Sequence, residues 1–532
     1  MNGKTGSNLS LRRVRAVAVA MAAALLVSSC GVVHVHFGSG ASSTSTSSAT
    51  YQQRLAYAQC MRDHGLPGFP NPSPSRNSSF STHLTGNASS TAARANAACE
   101  HLLAGGGSGT GGVTAPTTTA AAGAVPADCL TSRPPVCDTP RQLLDAYGIK
   151  PLLDGGITGR GQTIVLLEFP PSGAGPPSAA AGGQVPQASD IRQDLARFDG
   201  MFGLPAARLQ VVNTLAHAAS PWQASPEEVE DTEIVHAVAP GAAIREVLIP
   251  SSDTASTGTV SPAAVAALRL GLGQGGVIEF SAGAGEQCFT SPEVAQWNAA
   301  LQAAQRERVT VVVSVGDTGA ATTPCPGAGT APAPVKGVDL PASDPLALAV
   351  GGTSLEASRT TGAYAGEIAW NVLPQPGEPR ATGGGFSQLF PRPAYQDGVA
   401  GIGATRGVPD VAADADPDTG MALAFSGGGQ DDILVGTGGA SAAAPLWAAV
   451  IALADQYAGR DLGFVNPALY LIGESAYYHQ AFHDVTTGSN TVTFSTQTVS
   501  GYPAGPGWDP VTGWGSPDAQ VLVPLLARYA GP

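Results

Sequence analysis

At 532 residues the chain is long enough for one large domain with appendages, or for two or three ordinary ones. Its formal charge of −14 at pH 7, with lysine only at Lys4, Lys150 and Lys336, excludes nucleic acid as a partner, because a polyanion is held by clustered basic side chains that displace its counterions. Hydrophobic residues make up 43% but aromatics only 6%, so the core must be built mainly from Ala, Val, Leu and Ile, and the acidity fits either a plainly solvated surface or work in acid, where carboxylates neutralise.

In chain order, Arg12, Arg13 and Arg15 precede an apolar run from Ala16 to Val27 that is too short to span a membrane as a mature helix. Val27-Ser28-Ser29-Cys30 follows. Residues 1–30 therefore read as a signal peptide ending in what resembles a bacterial lipoprotein box, with cleavage before Cys30 and lipid on its sulfur; a plain secretory signal is the alternative. Export is expected on either reading, and membrane attachment only through this anchor. Lipidating Cys30 leaves six of the seven cysteines for an oxidising compartment, and sequence neighbourhood suggests pairing Cys60 with Cys99, Cys129 with Cys137, and Cys288 with Cys325.

Residues 31–50 form a Ser/Thr-rich tether with nothing to bury. Residues 51–104 read as a small segment of two helical pieces held by one disulfide, and 105–127 as a Gly/Thr/Ala linker. The main domain is then 128–532. In it, apolar β-branched runs at 163–169, 243–249, 276–281, 309–315 and 346–352 alternate with Ala-rich helical stretches such as 292–305. That alternation predicts a parallel sheet covered by helices on both faces, with chemistry at the carboxyl ends of its strands.

Three segments carry candidate chemistry. In GTGGASAAAPLWAAVIALADQ (436–456) a Gly-rich turn delivers Ser441 to the start of an apolar helix, where unpaired amides suit a nucleophile whose intermediate carries an oxyanion. Taken alone, Ser441 reads as readily as a helix cap. No histidine motif accompanies it: five of the nine histidines precede the main domain, and His217, His236, His479 and His483 lack an HGT-type segment. In SPEEVEDTEIVHAVAPGA (225–242), Glu227 and Asp231 stand four apart on one face of a helix opening after Pro226. Two such carboxyls share a proton and leave one carboxylate to accept the Ser proton in acid, although an acidic helix start also serves the helix dipole. In VTVVVSVGDTG (309–319), Asp317 follows a buried strand; in an apolar site it stays protonated and donates to an oxyanion, while the plain alternative is an Asp-Thr-Gly turn.

Together the Glu-x-x-x-Asp pair, Ser-x-Gly-Asp-x-Gly and Ser-Ala-Ala-Ala-Pro closely resemble the sedolisins, serine-carboxyl peptidases with a subtilisin-like fold, and the similarity extends through 146–168, 338–355, 382–396 and 406–420. The resemblance implies Glu227 as base, Asp231 as orienting acid, Asp317 as oxyanion acid, Ser441 as nucleophile, and Ser281 and Gly283 in a strand lining the substrate groove. Ala440 stands where the family usually has Thr, and Ala282 where Trp is common. Residues 31–127 are short for the family's N-terminal activation domain.

Toward the C-terminus, FHDVTTGSN (482–490) and AGPGWDPVTGWGSP (504–517) offer hard oxygen donors suited to Ca²⁺. They resemble the sedolisin calcium site, which implies the side chains of Asp484 and Asp509 and the carbonyls of Val485, Gly505 and Gly507 as ligands of one structural ion. The whole implies an exported, monomeric, acid-acting endopeptidase that takes protein or peptide substrates. A noncatalytic, lipid-anchored binding protein retaining the fold is the alternative, and a His-based triad is a second.

Overall fold

The computed structural model describes residues 138–168, 190–213, 224–249, 276–322 with Cys325, 334–375, 378–426, 432–434 and 438–531, and two short strands at 32–34 and 81–83. The chain divides into two compact units, residues 1–110 and 111–532. In the first, Val32–His34 pairs antiparallel with Ser81–His83. These two strands fall within the expected tether (31–50) and the expected helical segment (51–104); the rest of both, the signal peptide, Cys30, the linker, and the Cys60–Cys99 and Cys129–Cys137 pairs lie outside the described residues. Among the described residues no helix is long and apolar enough to cross a membrane.

The second unit is built on an eight-stranded sheet. Its strands are β1 (Thr163–Glu168), β2 (Arg208–Asn213), β3 (Ala243–Leu248), β4 (Val277–Phe280), β5 (Thr310–Ser314), β6 (Leu348–Ala357), β7 (Tyr364–Ala369) and β8 (Val411–Asp414). They run in the order β7-β6-β5-β4-β1-β3-β2, with β8 alongside β6, and every pairing is parallel except β6 with β7. β4 and β5 are buried at every position, which is why they read as unbroken apolar runs rather than alternating ones.

Helices cover both faces. The principal ones are α1 (Ile191–Phe202), α2 (Pro226–Val238), α3 (Ser291–Arg306), α4 (Ala440–Ala458) and α5 (Ala519–Tyr529). On one face Ile164, Leu166, Val277, Val312 and Val350 pack under α2 and α4. On the other, Val165, Leu167, Ile278, Val311 and Val313 meet Trp297, Ala300, Leu301 and Ala304 of α3. The central helix α4 is buried from Ala442 to Asp455, and a helix apolar all round belongs in such an interior. The fold is thus the subtilisin-like α/β architecture expected, and Cys288–Cys325 is the expected disulfide.

Candidate active site

Period-two alternation puts Leu166, Glu168, Glu246 and Glu279 on the sheet face that carries α2 and α4. α2 is started by Ser225, whose side chain accepts from the Glu228 amide in a capping box, with Pro226 at its first position. The helix packs against α4 and is buried from Glu228 to Val238, so Glu228, Glu230, Asp231 and Glu233 sit in a dry interior, while Glu227 in the first turn remains open to solvent.

Ser441 is the second residue of α4. Gly439 before it has φ +124°, and a Cβ there would fall 2.6 Å from Asp317 Oδ2. The Ala440 amide donates to Asp317 Oδ1 at 2.8 Å, a backbone contact indifferent to the loss of the Thr hydroxyl. Asp317 and Ser441 therefore share one turn. The Ser441 hydroxyl also hydrogen-bonds the Glu227 carboxyl. Pro445 stands four residues after Ser441 and has no N–H, so the Ser441 carbonyl lacks its helical donor; Ser281 Oγ lies 3.4 Å from that carbonyl oxygen.

Although Glu227 keeps an exposed face, the protein packed around it partly desolvates its carboxyl and pushes it up, and the Ser441 hydroxyl and, more weakly, the Arg380 guanidinium pull it part of the way back. Asp317 is raised likewise by burial, against the Ala440 amide and Arg380. Arg380 is placed by its neighbour: the Ala381 amide donates to the Asp317 carbonyl, and the Ala381 carbonyl accepts from Gly319. Asp231 lies fully buried, and no donor among the described residues reaches either of its oxygens. Burial holds it far above the usual carboxylate range, and the charges of Glu279, Glu168, Glu227 and Glu230 add to this. One oxygen each from Glu168, Asp231 and Glu279 lies within 4.8 Å of the others. Burial raises all three, so the group reads as a cluster of carboxyls held in the protonated form.

Ser281 and Gly283 line the next stretch. A Cβ at Gly283 would meet the Leu340 carbonyl oxygen at 2.9 Å, and Ala284–Gly285 pairs antiparallel with Asp339–Leu340. The Cys288–Cys325 bond ties this segment to the loop beyond Asp317. Among the described histidines, His236 pairs with Asp199 at 2.8 Å and His483 stacks on Tyr364 with ring centroids 3.6 Å apart, so both are engaged away from Ser441.

The five residues expected to hold calcium come together. Gly507 N lies 3.2 Å from both carboxyl oxygens of Asp484, and the Gly505 amide donates to Asp509 Oδ2 at 3.1 Å. Asp509 Oδ1 accepts from the Val511 and Thr512 amides, and Thr512 Oγ1 lies 3.0 Å from Asp509 Oδ2 and 3.5 Å from the Val485 carbonyl. Burial pushes Asp509 up to about 6.

No family model matches the chain. It is 32% identical over 410 residues to kumamolisin of Bacillus sp. (strain MN-32), covering 75% of this chain and 65% of that protein. It is 31% identical over 339 residues to sedolisin of Pseudomonas sp. (strain 101), covering 63% of this chain and 55% of that one. The solved structure of Pseudomonas sedolisin, a serine-carboxyl proteinase complexed with two molecules of pseudo-iodotyrostatin, superposes with a TM-score of 0.60 at 25% identity, over 74% of this chain and 99% of that one. The chain belongs to the sedolisin family. It spans somewhat under two thirds of kumamolisin and about half of sedolisin in length. Glu227, Asp231, Asp317 and Ser441 gather at the carboxyl ends of the strands, joined by Glu168, Glu279 and Arg380, none of which lies in the three motifs. An acid inside an apolar strand, as in Val277-Ile278-Glu279-Phe280, was the signal for two of those three.

Proposed function

We propose that the protein is an exported serine-carboxyl endopeptidase acting on protein or peptide substrates in acid. The observation that carries this reading is the Ser441 hydroxyl bonded to the Glu227 carboxyl, with Asp317 held at the same turn by the Ala440 amide. Glu227 accepts the Ser441 proton as the oxygen attacks the scissile carbonyl. Protonated Asp317 donates to the oxyanion, a task that burial equips it for. Glu227 then passes the proton to the leaving amine, and water repeats the cycle on the acyl-enzyme. Asp231, one turn along α2, is the orienting acid that the family resemblance implies, and its carboxyl and that of Glu227 feel each other's charge. Arg380 favours the charged form of both Glu227 and Asp317, as a smaller influence than desolvation and the Ser441 and Ala440 hydrogen bonds.

The Asp484/Asp509 cradle fits a hard cation: two carboxylates close on one loop, Gly507 takes φ +78°, and Gly505 leaves open space. Asp484, Asp509 and the carbonyls of Val485, Gly505 and Gly507 would hold Ca²⁺, which would neutralise those carboxylates and brace the C-terminal loops. Attachment through Cys30 and a monomeric state complete the proposal.

The test is incubation of purified protein with a denatured protein substrate from pH 3 to 8, beside Ser441→Ala. Cleavage in acid that the variant lacks supports the reading, and a folded wild type inert throughout favours the noncatalytic binder.

A further inference from the structure

Glu279 lies outside the Ser441, Glu227, Asp231 and Asp317 machinery, yet it is fully buried on β4 and faces the site from behind. Ser281 Oγ sits 2.5 Å from Glu279 Oε1 and 3.4 Å from the Ser441 carbonyl oxygen. One hydroxyl proton cannot serve both acceptors. If Glu279 is protonated, it donates to Ser281 Oγ, and the Ser281 proton is released to the Ser441 carbonyl, the one whose helical donor Pro445 removes. If Glu279 is ionised, the Ser281 proton turns to the carboxylate and the Ser441 carbonyl loses its donor.

We propose that Glu279 is a positioning residue that acts as a buried proton donor to Ser281, so that a Glu279–Ser281–Ser441 chain of hydrogen bonds fixes the first turn of α4 and thereby the nucleophile. This rests on the peptidase reading above. The groups facing Glu279 favour the protonated form. β1 contributes Glu168, and α2 contributes Glu227 and Asp231. β5 brings no titratable side chain between Thr310 and Ser314, and α4 brings Ser441. Arg380 acts on Glu227 and Asp317. Burial and the Glu227 charge push Glu279 up to about 8, against the Ser281 hydrogen bond, so it holds its proton throughout the acid range.

The experiment compares wild type, Glu279→Gln and Glu279→Ala in the full chain. Gln carries a permanent N–H₂ donor where the protonated acid stood; Ala carries none. At pH 4 to 5, kcat of Glu279→Ala falls about tenfold or more with KM little changed, and Glu279→Gln restores most of the loss. Melting curves provide a readout independent of activity. Between pH 5 and 8 folded Glu279 keeps a proton that the unfolded chain has released, so the melting temperature of wild type falls with rising pH more steeply than that of Glu279→Gln, by the equivalent of about one bound proton. Parallel melting curves, or an active Glu279→Ala with wild-type kcat, overturn this inference and leave the peptidase reading standing. A wild type that cleaves nothing overturns the peptidase reading, and the catalytic role of Glu279 with it.

Discussion

Gly439 sits where the constraints on the nucleophile turn converge. Its φ of +124° is open to glycine and strained for any L side chain, and an added methyl would land 2.6 Å from Asp317 Oδ2. Gly439→Ala should therefore cost about 1–3 kcal/mol in backbone strain. It should also lower kcat by about a hundredfold, because the acid that serves the oxyanion is displaced. A variant melting within a degree of wild type with unchanged kcat would show that the turn tolerates a side chain. Ser441→Ala and Glu227→Gln belong to one unit, so each alone should lower kcat/KM by about 10³-fold or more, and the double variant little further. Circular dichroism should show both folded; residual cleavage near wild-type level by Ser441→Ala would remove it as nucleophile.

Among the elements, the strands and helices that place the site were legible because their patterns are local. Thr163–Glu168, Thr310–Ser314 and Ser291–Arg306 fall within a residue or two of the apolar runs that announce them, and Pro226 and Gly439 mark the starts of α2 and α4. The surroundings of the carboxyls were not legible. Arg380 reaches the site from a hairpin distant in sequence, and Glu168 and Glu279 meet Asp231 only because the β1–β4 register sets both on the face under α2. Those contacts belong to sheet topology, which no single segment encodes. The C-terminal loops form another element-scale unit. An ion bound only by the native state stabilises by mass action, so chelation at pH 7 should lower the melting temperature and calcium, but not equal magnesium, should restore it. With Asp509 pushed up to about 6, this dependence should fade as the pH falls below that value. Asp484→Ala with Asp509→Ala should abolish it, and a melting curve indifferent to chelator at pH 7 would remove calcium from the account.

At the scale of the whole molecule, the interior is loaded with acids whose titration runs one way. Burial raises Glu168, Asp231, Glu233, Glu279, Asp317 and Asp414 as the leading cause in each, and raises Glu246 to about 7 from 4.5. A carboxyl whose folded value lies above its unfolded one keeps its proton in the native state after the unfolded chain has lost it. Its contribution is fully present below the unfolded value and is lost as pH rises through the folded one. For Glu246 alone, which accepts from Thr232 Oγ1 at 2.5 Å, the loss approaches roughly 3 kcal/mol, a large part of the margin of an ordinary domain. Stability should thus be greatest near pH 4 to 5 and decline steadily toward pH 8, the reverse of a protein whose carboxylates are salt-bridged. Melting temperatures recorded across that range in chelator, so that calcium does not mask the trend, read this directly. Glu246→Gln, which keeps the side chain's size and cannot titrate, should flatten the slope between pH 4.5 and 7. A melting temperature at pH 8 equal to or above that at pH 5 would mean that these acids are ionised in the native interior, and that the site is not built for acid.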